Sequence, residues 1–127
     1  MTNASKKILI IEEDVIVSRI FQSHIVKELG AEVFTAIGIE EGIRKLEEEK
    51  IDLLVIDIFL NNQPTLGSIA KIKKNSRTSL IPIVLITVIS DKEHVLAAQA
   101  LGIRYFITKG NDSLHEAMET IKKAIGD

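Results

Sequence analysis

Two short runs, Leu53-Leu54-Val55-Ile56 and Ile83-Val84-Leu85-Ile86, are apolar at every position, and no other feature so narrows the folds open to this chain. A strand with one face in water alternates apolar and polar side chains. A strand apolar throughout is buried on both faces, as in parallel sheets covered by helices. Asp57 ends the first run and Thr87 the second. In open parallel sheets the ligand crevice lies beyond the carboxyl ends of the strands, so both residues fall where chemistry is done. A lone Asp can equally start a turn, and the weight of Asp57 depends on what the other strands deliver beside it.

Taken in order, the chain alternates between two periods. Lys7 to Ile11 forms an apolar strand followed by Glu12-Glu13-Asp14. Val17, Ile20, Phe21, Ile25 and Leu29 then recur at helical spacing, with Gly30 as the stop. Glu32 to Ala36 reads as a second strand. A second helix carries Ile39, Ile43 and Leu46 inward and keeps Glu40, Glu41, Glu47 and Glu48 as a solvated face. After Asp57, Asn61-Asn62-Gln63-Pro64 is a strong turn signal, and Leu66, Ile69 and Ile72 mark a third helix with Pro64 in its first turn. Asp91 is the expected cap of a fourth helix whose inner face holds Val95, Leu96 and Leu101. Tyr105 to Thr108 forms the last strand, with Lys109 after it, and the spacing Ser113-x-x-Glu116 is a capping box opening a final helix over Leu114, Met118, Ile121 and Ile125. His24, His94 and His115 read as solvated helix residues.

Five such βα units predict an α/β fold: a doubly wound, flavodoxin-like parallel sheet of five strands, (βα)5, in the order 2-1-3-4-5. Its switch point, between the first and third strands, gathers Glu12, Glu13 and Asp57, with Thr87 and Lys109 at the ends of the fourth and fifth. Acids clustered in a partly desolvated crevice require a cation between them or a raised pKa. Oxygen ligands without cysteine or clustered histidine point to a hard cation such as Mg²⁺. At 127 residues the chain is expected to form one domain, 1–127, with a flexible tail over 1–6. A net charge of −2 offers no basic excess for nucleic acid, and the lack of Cys fits a reducing cytoplasm. No apolar run approaches the roughly 18 residues of a membrane span, and no signal peptide is visible. Neither G-x-x-x-x-G-K-[ST] nor G-x-G-x-x-G occurs, against nucleotide sites. Three acids after the first strand would repel a flavin phosphate, and Asp57-Ile58-Phe59 lacks the second acid of haloacid dehalogenase phosphatases.

From end to end the chain resembles the receiver domain of two-component response regulators. The residues that carry the likeness are Glu12-Glu13, Asp57 with Leu60 three residues on, Thr87 after Ile83 to Ile86, Lys109 after Tyr105 to Thr108, and Arg77-Thr78-x-x-Ile81-Pro82-Ile83. The resemblance implies a signalling domain, not an enzyme, in which Asp57 takes a phosphoryl group from a sensor histidine kinase or histidine phosphotransferase. It implies a Mg²⁺ site of Glu13, Asp57 and the carbonyl of Phe59, with Glu12 acting through water. Lys109 would pair with Asp57 and then with the phosphoryl group, and Thr87 would hydrogen-bond a phosphoryl oxygen. Phe106 would turn inward as an aromatic switch, altering the surface of the fourth helix, last strand and last helix for a downstream protein partner. A monomer or weak dimer is expected; the lack of an output domain suggests a stand-alone receiver, and a fragment cut from a longer regulator or hybrid kinase would read the same.

Several positions depart from the family pattern. Glu13 stands where Asp is nearly universal, Asn61 replaces a Pro, and Thr65 replaces a Gly if Leu66, Ile69 and Ile72 set the register. Val88 follows Thr87 where Ala or Gly is typical, beside the path of donor and water. Gly110 follows Lys109 where a cis-Pro is usual, and a trans peptide is expected because a cis bond before a non-proline residue costs about 2.5–4 kcal/mol. The alternative reading is a degenerate receiver that keeps the fold as a phosphorylation-independent interaction module.

Overall fold

The computed structural model describes residues 5–126. Seven strands and five helices follow one another as β1 (Lys7–Ile11), α1 (Val15–Leu29), β2 (Glu32–Ala36), α2 (Ile39–Glu48), β3 (Leu53–Asp57), β4 (Phe59–Leu60), β5 (Gln63–Pro64), α3 (Leu66–Lys74), β6 (Ile83–Val88), α4 (Lys92–Ala100), β7 (Tyr105–Lys109) and α5 (Leu114–Gly126). The main sheet is parallel in the order β2-β1-β3-β6-β7. With the short β4-β5 hairpin set aside, this is the expected 2-1-3-4-5. Of the tail expected over 1–6, residues 1–4 lie outside the described residues, and the Lys6 carbonyl accepts from the Glu32 amide at 2.8 Å.

The all-apolar strands are explained by two cores, one on each face. Ile8, Ile10, Leu53, Val55, Val84 and Ile86 pack with Phe21 and Ile25 of α1 and with Met118 and Ile121 of α5. Leu9, Ile11, Leu54, Ile56, Ile83 and Leu85 point the other way, against Leu46 of α2, Ile69 and Ile72 of α3 and Ala98 of α4. Successive strand residues alternate faces, so a sheet covered on both sides demands an apolar residue at each step. Within α2, Gly42 is buried against Ile11, whose Cδ1 would lie 2.2 Å from an added Cβ.

Helix ends follow local chemistry. Asp14 caps α1 by accepting from the Ile16 and Val17 amides at 3.0 and 3.2 Å, and Gly30 ends it with a left-handed φ of 63°. The capping box of α5 is reciprocal: the Glu116 amide donates to Ser113 Oγ at 3.0 Å and the Ser113 amide to Glu116 Oε1 at 2.9 Å.

Three local expectations are corrected. Pro64 does not open α3: it pairs with Phe59 in the antiparallel hairpin β4-β5, and the helix starts at Leu66 after Thr65. Asn61 and Asn62 have φ of 52° and 59°, the left-handed pair that a two-residue turn between twisted strands requires. Leu96 is 66% exposed, and Ile20 is 45% exposed. Ala98 is the buried residue of α4, because the short helix lays only a narrow stripe on the sheet. His94 is only partly solvated: its side chain is 29% exposed and its Nδ1 is bonded to Asp91.

Candidate functional site

Buried polar residues are few: among those described they are Glu12, Ser18, Asp57, Thr65 and Thr87. Four of them lie at the carboxyl edge of the sheet or on the loop returning from it. Asp57, 7% exposed, is the last residue of β3 and pairs in register with Ile86, one step before Thr87. Its Oδ2 accepts from Lys109 Nζ at 2.6 Å, and its Oδ1 from the Phe59 amide at 3.3 Å.

Glu12, 1% exposed, follows β1 and extends the ladder by donating its amide to the Ala36 carbonyl at 3.0 Å. Its Oε2 accepts from the Asp14 amide at 3.1 Å. Its Oε1 is buried and forms an ion pair with Lys109 Nζ at 3.0 Å without a hydrogen bond of proper geometry. Burial pushes Glu12 above the usual carboxylate range, and the Asp57 charge adds to this against the pull of the Asp14 amide and Lys109. Burial opposes the charge of Lys109, yet its hydrogen bond to Asp57 and its ion pair with Glu12 outweigh that and hold it above the usual lysine value.

Lys109 reaches this position because the chain after it folds back at once. Gly110 has φ 75° and follows a trans peptide, as expected. The Asn111 and Asp112 amides donate to the Thr108 carbonyl at 3.2 and 2.9 Å, and Asp112 Oδ2 accepts from the Thr108 amide at 2.9 Å.

The structure thus brings Glu12, Asp57 and Lys109 together, with Thr87 buried at the neighbouring strand end. Glu13 is held elsewhere. It is exposed, and its Oε2 accepts from the Asn61 amide at 3.1 Å, across the crevice at the hairpin tip. The two departures are partners: the longer arm of Glu13 meets an N–H that a proline at 61 would not have. No group of three or more His, Asp or Glu among the described residues is gathered to hold a metal. The donor set still suits a hard cation, since Asp57 and the hydrogen-bond-free Oε1 of Glu12 are all-oxygen and buried.

Thr65 has a role that the sequence did not suggest. Its buried hydroxyl donates to the carbonyls of Asp57 at 2.8 Å and Ile58 at 3.0 Å, tying the returning loop to the end of β3. Phe106 is half-buried against the α4-side core. It lines an apolar cleft of about 410 Å³ with Thr87, Val88, Val95 and Leu96. Val88, 44% exposed, pairs in register with Lys109 and does not extend the core. Thr87 Oγ1 makes only a long contact, 3.4 Å, with the Val88 carbonyl, which leaves its hydroxyl weakly engaged.

Comparison with known proteins accords with this geometry. The transcriptional regulatory protein CrdR of Helicobacter pylori is 30% identical over 122 residues, covering 96% of this chain and 56% of that protein. This chain spans about half the length of the curated relatives it matches. Among solved structures, the chemotaxis response regulator CheY4 of Vibrio cholerae superposes with a TM-score of 0.82 at 18% identity, covering 95% of this chain and 99% of that one. The receiver domain of sensor histidine kinase PA1611 from Pseudomonas aeruginosa, described with a magnesium ion coordinated in its active site cleft, gives a TM-score of 0.80 at 17% identity, with coverage of 98% and 100%. At such identities the superpositions show the fold alone. The sequence profile of the response regulator receiver domain matches residues 8–122, and the chain belongs to that family of two-component signalling domains.

Proposed function

We propose that Asp57 accepts a phosphoryl group from the phosphohistidine of a sensor histidine kinase or histidine phosphotransferase, and that the phosphorylated domain engages a downstream protein. The observation that carries this reading is the buried Asp57 carboxylate with Lys109 Nζ at 2.6 Å. An Asp57 oxygen attacks phosphorus, the P–N bond to the donor imidazole breaks, and an acyl phosphate forms. Mg²⁺, when bound, supplies charge neutralisation on the phosphoryl oxygens. Glu13, Asp57 and the Phe59 carbonyl would hold it, with Glu12 through water; for this Glu13 must leave Asn61. Lys109 exchanges its bond to the carboxylate for one to the new phosphoryl oxygens, keeping its charge beside theirs. Thr87 is free to donate its hydroxyl to a phosphoryl oxygen, and the space it leaves is open to Phe106, whose ring already lines the adjoining cleft. The exposed apolar residues Val88, Ile89 and Leu96 beside that cleft are the surface such a movement would alter.

A second reading, a phosphorylation-independent interaction module, is favoured by the engagement of Glu13 with Asn61. Transfer of labelled phosphoryl from a phosphohistidine domain decides between them. The receiver reading expects label that hydroxylamine releases, as it does from acyl phosphates, and that Asp57→Asn abolishes. Stable absence of label with a donor active toward another receiver would favour the module.

A further inference from the structure

We propose that His94 is a positioning residue for the acceptor loop: with Asp91 it forms a strut from the first turn of α4 to Phe59, holding that turn and the backbone beside Asp57 in place together. The part that concerns Mg²⁺ rests on the receiver reading; the mechanical part does not.

The contacts run in series. His94 Nδ1 donates to Asp91 Oδ1 at 2.7 Å, and the His94 amide donates to the same oxygen at 3.2 Å. The other carboxylate oxygen of Asp91, Oδ2, is buried with no hydrogen-bond partner. A carboxylate so desolvated depends on the donors it has, and a short charge-assisted bond in low dielectric fixes the imidazole plane. That ring meets the ring of Phe59 edge to face, with centroids 4.8 Å apart and planes at 72°. The geometry is the favourable one for aromatic quadrupoles. The Phe59 amide donates to Asp57 Oδ1 at 3.3 Å, and its carbonyl is the one proposed to face the metal. The cap of α4 is therefore linked to the phosphoacceptor by three contacts, although Asp91 could have capped the helix through the amide alone. A shift of the Phe59 backbone, such as metal or phosphoryl binding would impose, must be matched by His94 and passed to the turn leading from Thr87 into α4.

The test compares His94→Asn, which keeps a side-chain donor for Asp91 but no ring, with His94→Phe, which keeps the ring contact and loses the bond to Asp91. Two readouts are taken by NMR: hydrogen exchange of the Phe59 amide in metal-free protein, and the MgCl2 concentration that half-saturates the shifts of Asp57 and Phe59. His94→Asn is expected to speed exchange at Phe59 by about threefold to tenfold, with a comparable rise in half-saturating MgCl2. His94→Phe should restore Phe59 toward wild type while loosening the amides of Lys92 to Val95. In a Phe59→Ala background, His94→Asn should have no further effect on MgCl2 binding. A His94→Asn protein altered only in α4 and in overall stability, with Phe59 exchange and half-saturation unchanged, would overturn the strut. If wild-type protein shows no response to MgCl2, the metal part of the receiver reading falls and Phe59 exchange alone decides the strut.

Discussion

In Lys109→Ala the carboxylates of Asp57 and Glu12, whose side chains are 9% and 1% exposed, lose the cation that both contact. Truncating one partner of a fully buried ion pair costs about 3–5 kcal/mol, because the remaining charge stays desolvated. The Lys109 side chain is 37% exposed, so water already screens part of the attraction. The expected loss at pH 7.5 is therefore smaller, about 1–3 kcal/mol, and the fold persists. Its pH dependence has a definite sign. Burial already raises Glu12 in the folded chain, and loss of Lys109 raises it further. A group raised on folding contributes stability that is fully present below its unfolded value and is lost as pH rises through its folded value. The deficit of the variant should thus be largest at pH 7.5 and shrink toward pH 5. Urea unfolding of both proteins at the two pH values, followed by far-UV circular dichroism, measures it. An equal deficit at both, or a variant as stable as wild type at pH 7.5, would refute the view that Lys109 neutralises two buried acids.

Other substitutions probe the rest of the crevice. Thr65→Val removes the hydroxyl that bridges the Asp57 and Ile58 carbonyls and should cost about 1–3 kcal/mol in urea unfolding, since the Asp57 carbonyl loses a buried donor; an unchanged midpoint would deny the bridge. Glu13→Asp shortens the arm that reaches the Asn61 amide and should tighten Mg²⁺, read from NMR shifts at residues 12, 13 and 57, whereas weaker or unchanged binding counts against the competition. Val88→Ala should speed both gain and loss of the phosphoryl group, because a stiff branched side chain beside Lys109 is removed from the approach. Equal rate constants at one Mg²⁺ concentration would leave Val88 without that role.

Much of the fold was legible because each strand residue answers to one face of the sheet. With helices on both sides, β3 and β6 had to be apolar throughout, and the residues that break the pattern, Asp57 and Thr87, stand out at the ends. Gly30 and the Ser113 box act within a few residues of themselves, so their meaning was local. The β4-β5 hairpin is not legible in the sequence although the Asn61-Asn62 pair carries its turn chemistry: Pro64 is equally at home in the first turn of a helix, and only its pairing with Phe59 decides. Leu96 fits the helical spacing, but spacing alone does not say how wide a stripe a short helix buries. The contact of His94 with Phe59, the bonds of Thr65 to the end of β3 and the match of Glu13 to Asn61 join residues well apart in the chain, which the local pattern of neither partner encodes.

The acceptance of a phosphoryl group at Asp57 is tested most directly by intact mass. Wild-type protein and Asp57→Asn are incubated with acetyl phosphate and MgCl2, with EDTA in a parallel sample. The receiver reading expects a gain of one phosphoryl group in the wild-type protein only, dependent on Mg²⁺ and reversed by hydroxylamine. A wild-type mass that does not change, or an equal gain in Asp57→Asn, would contradict it.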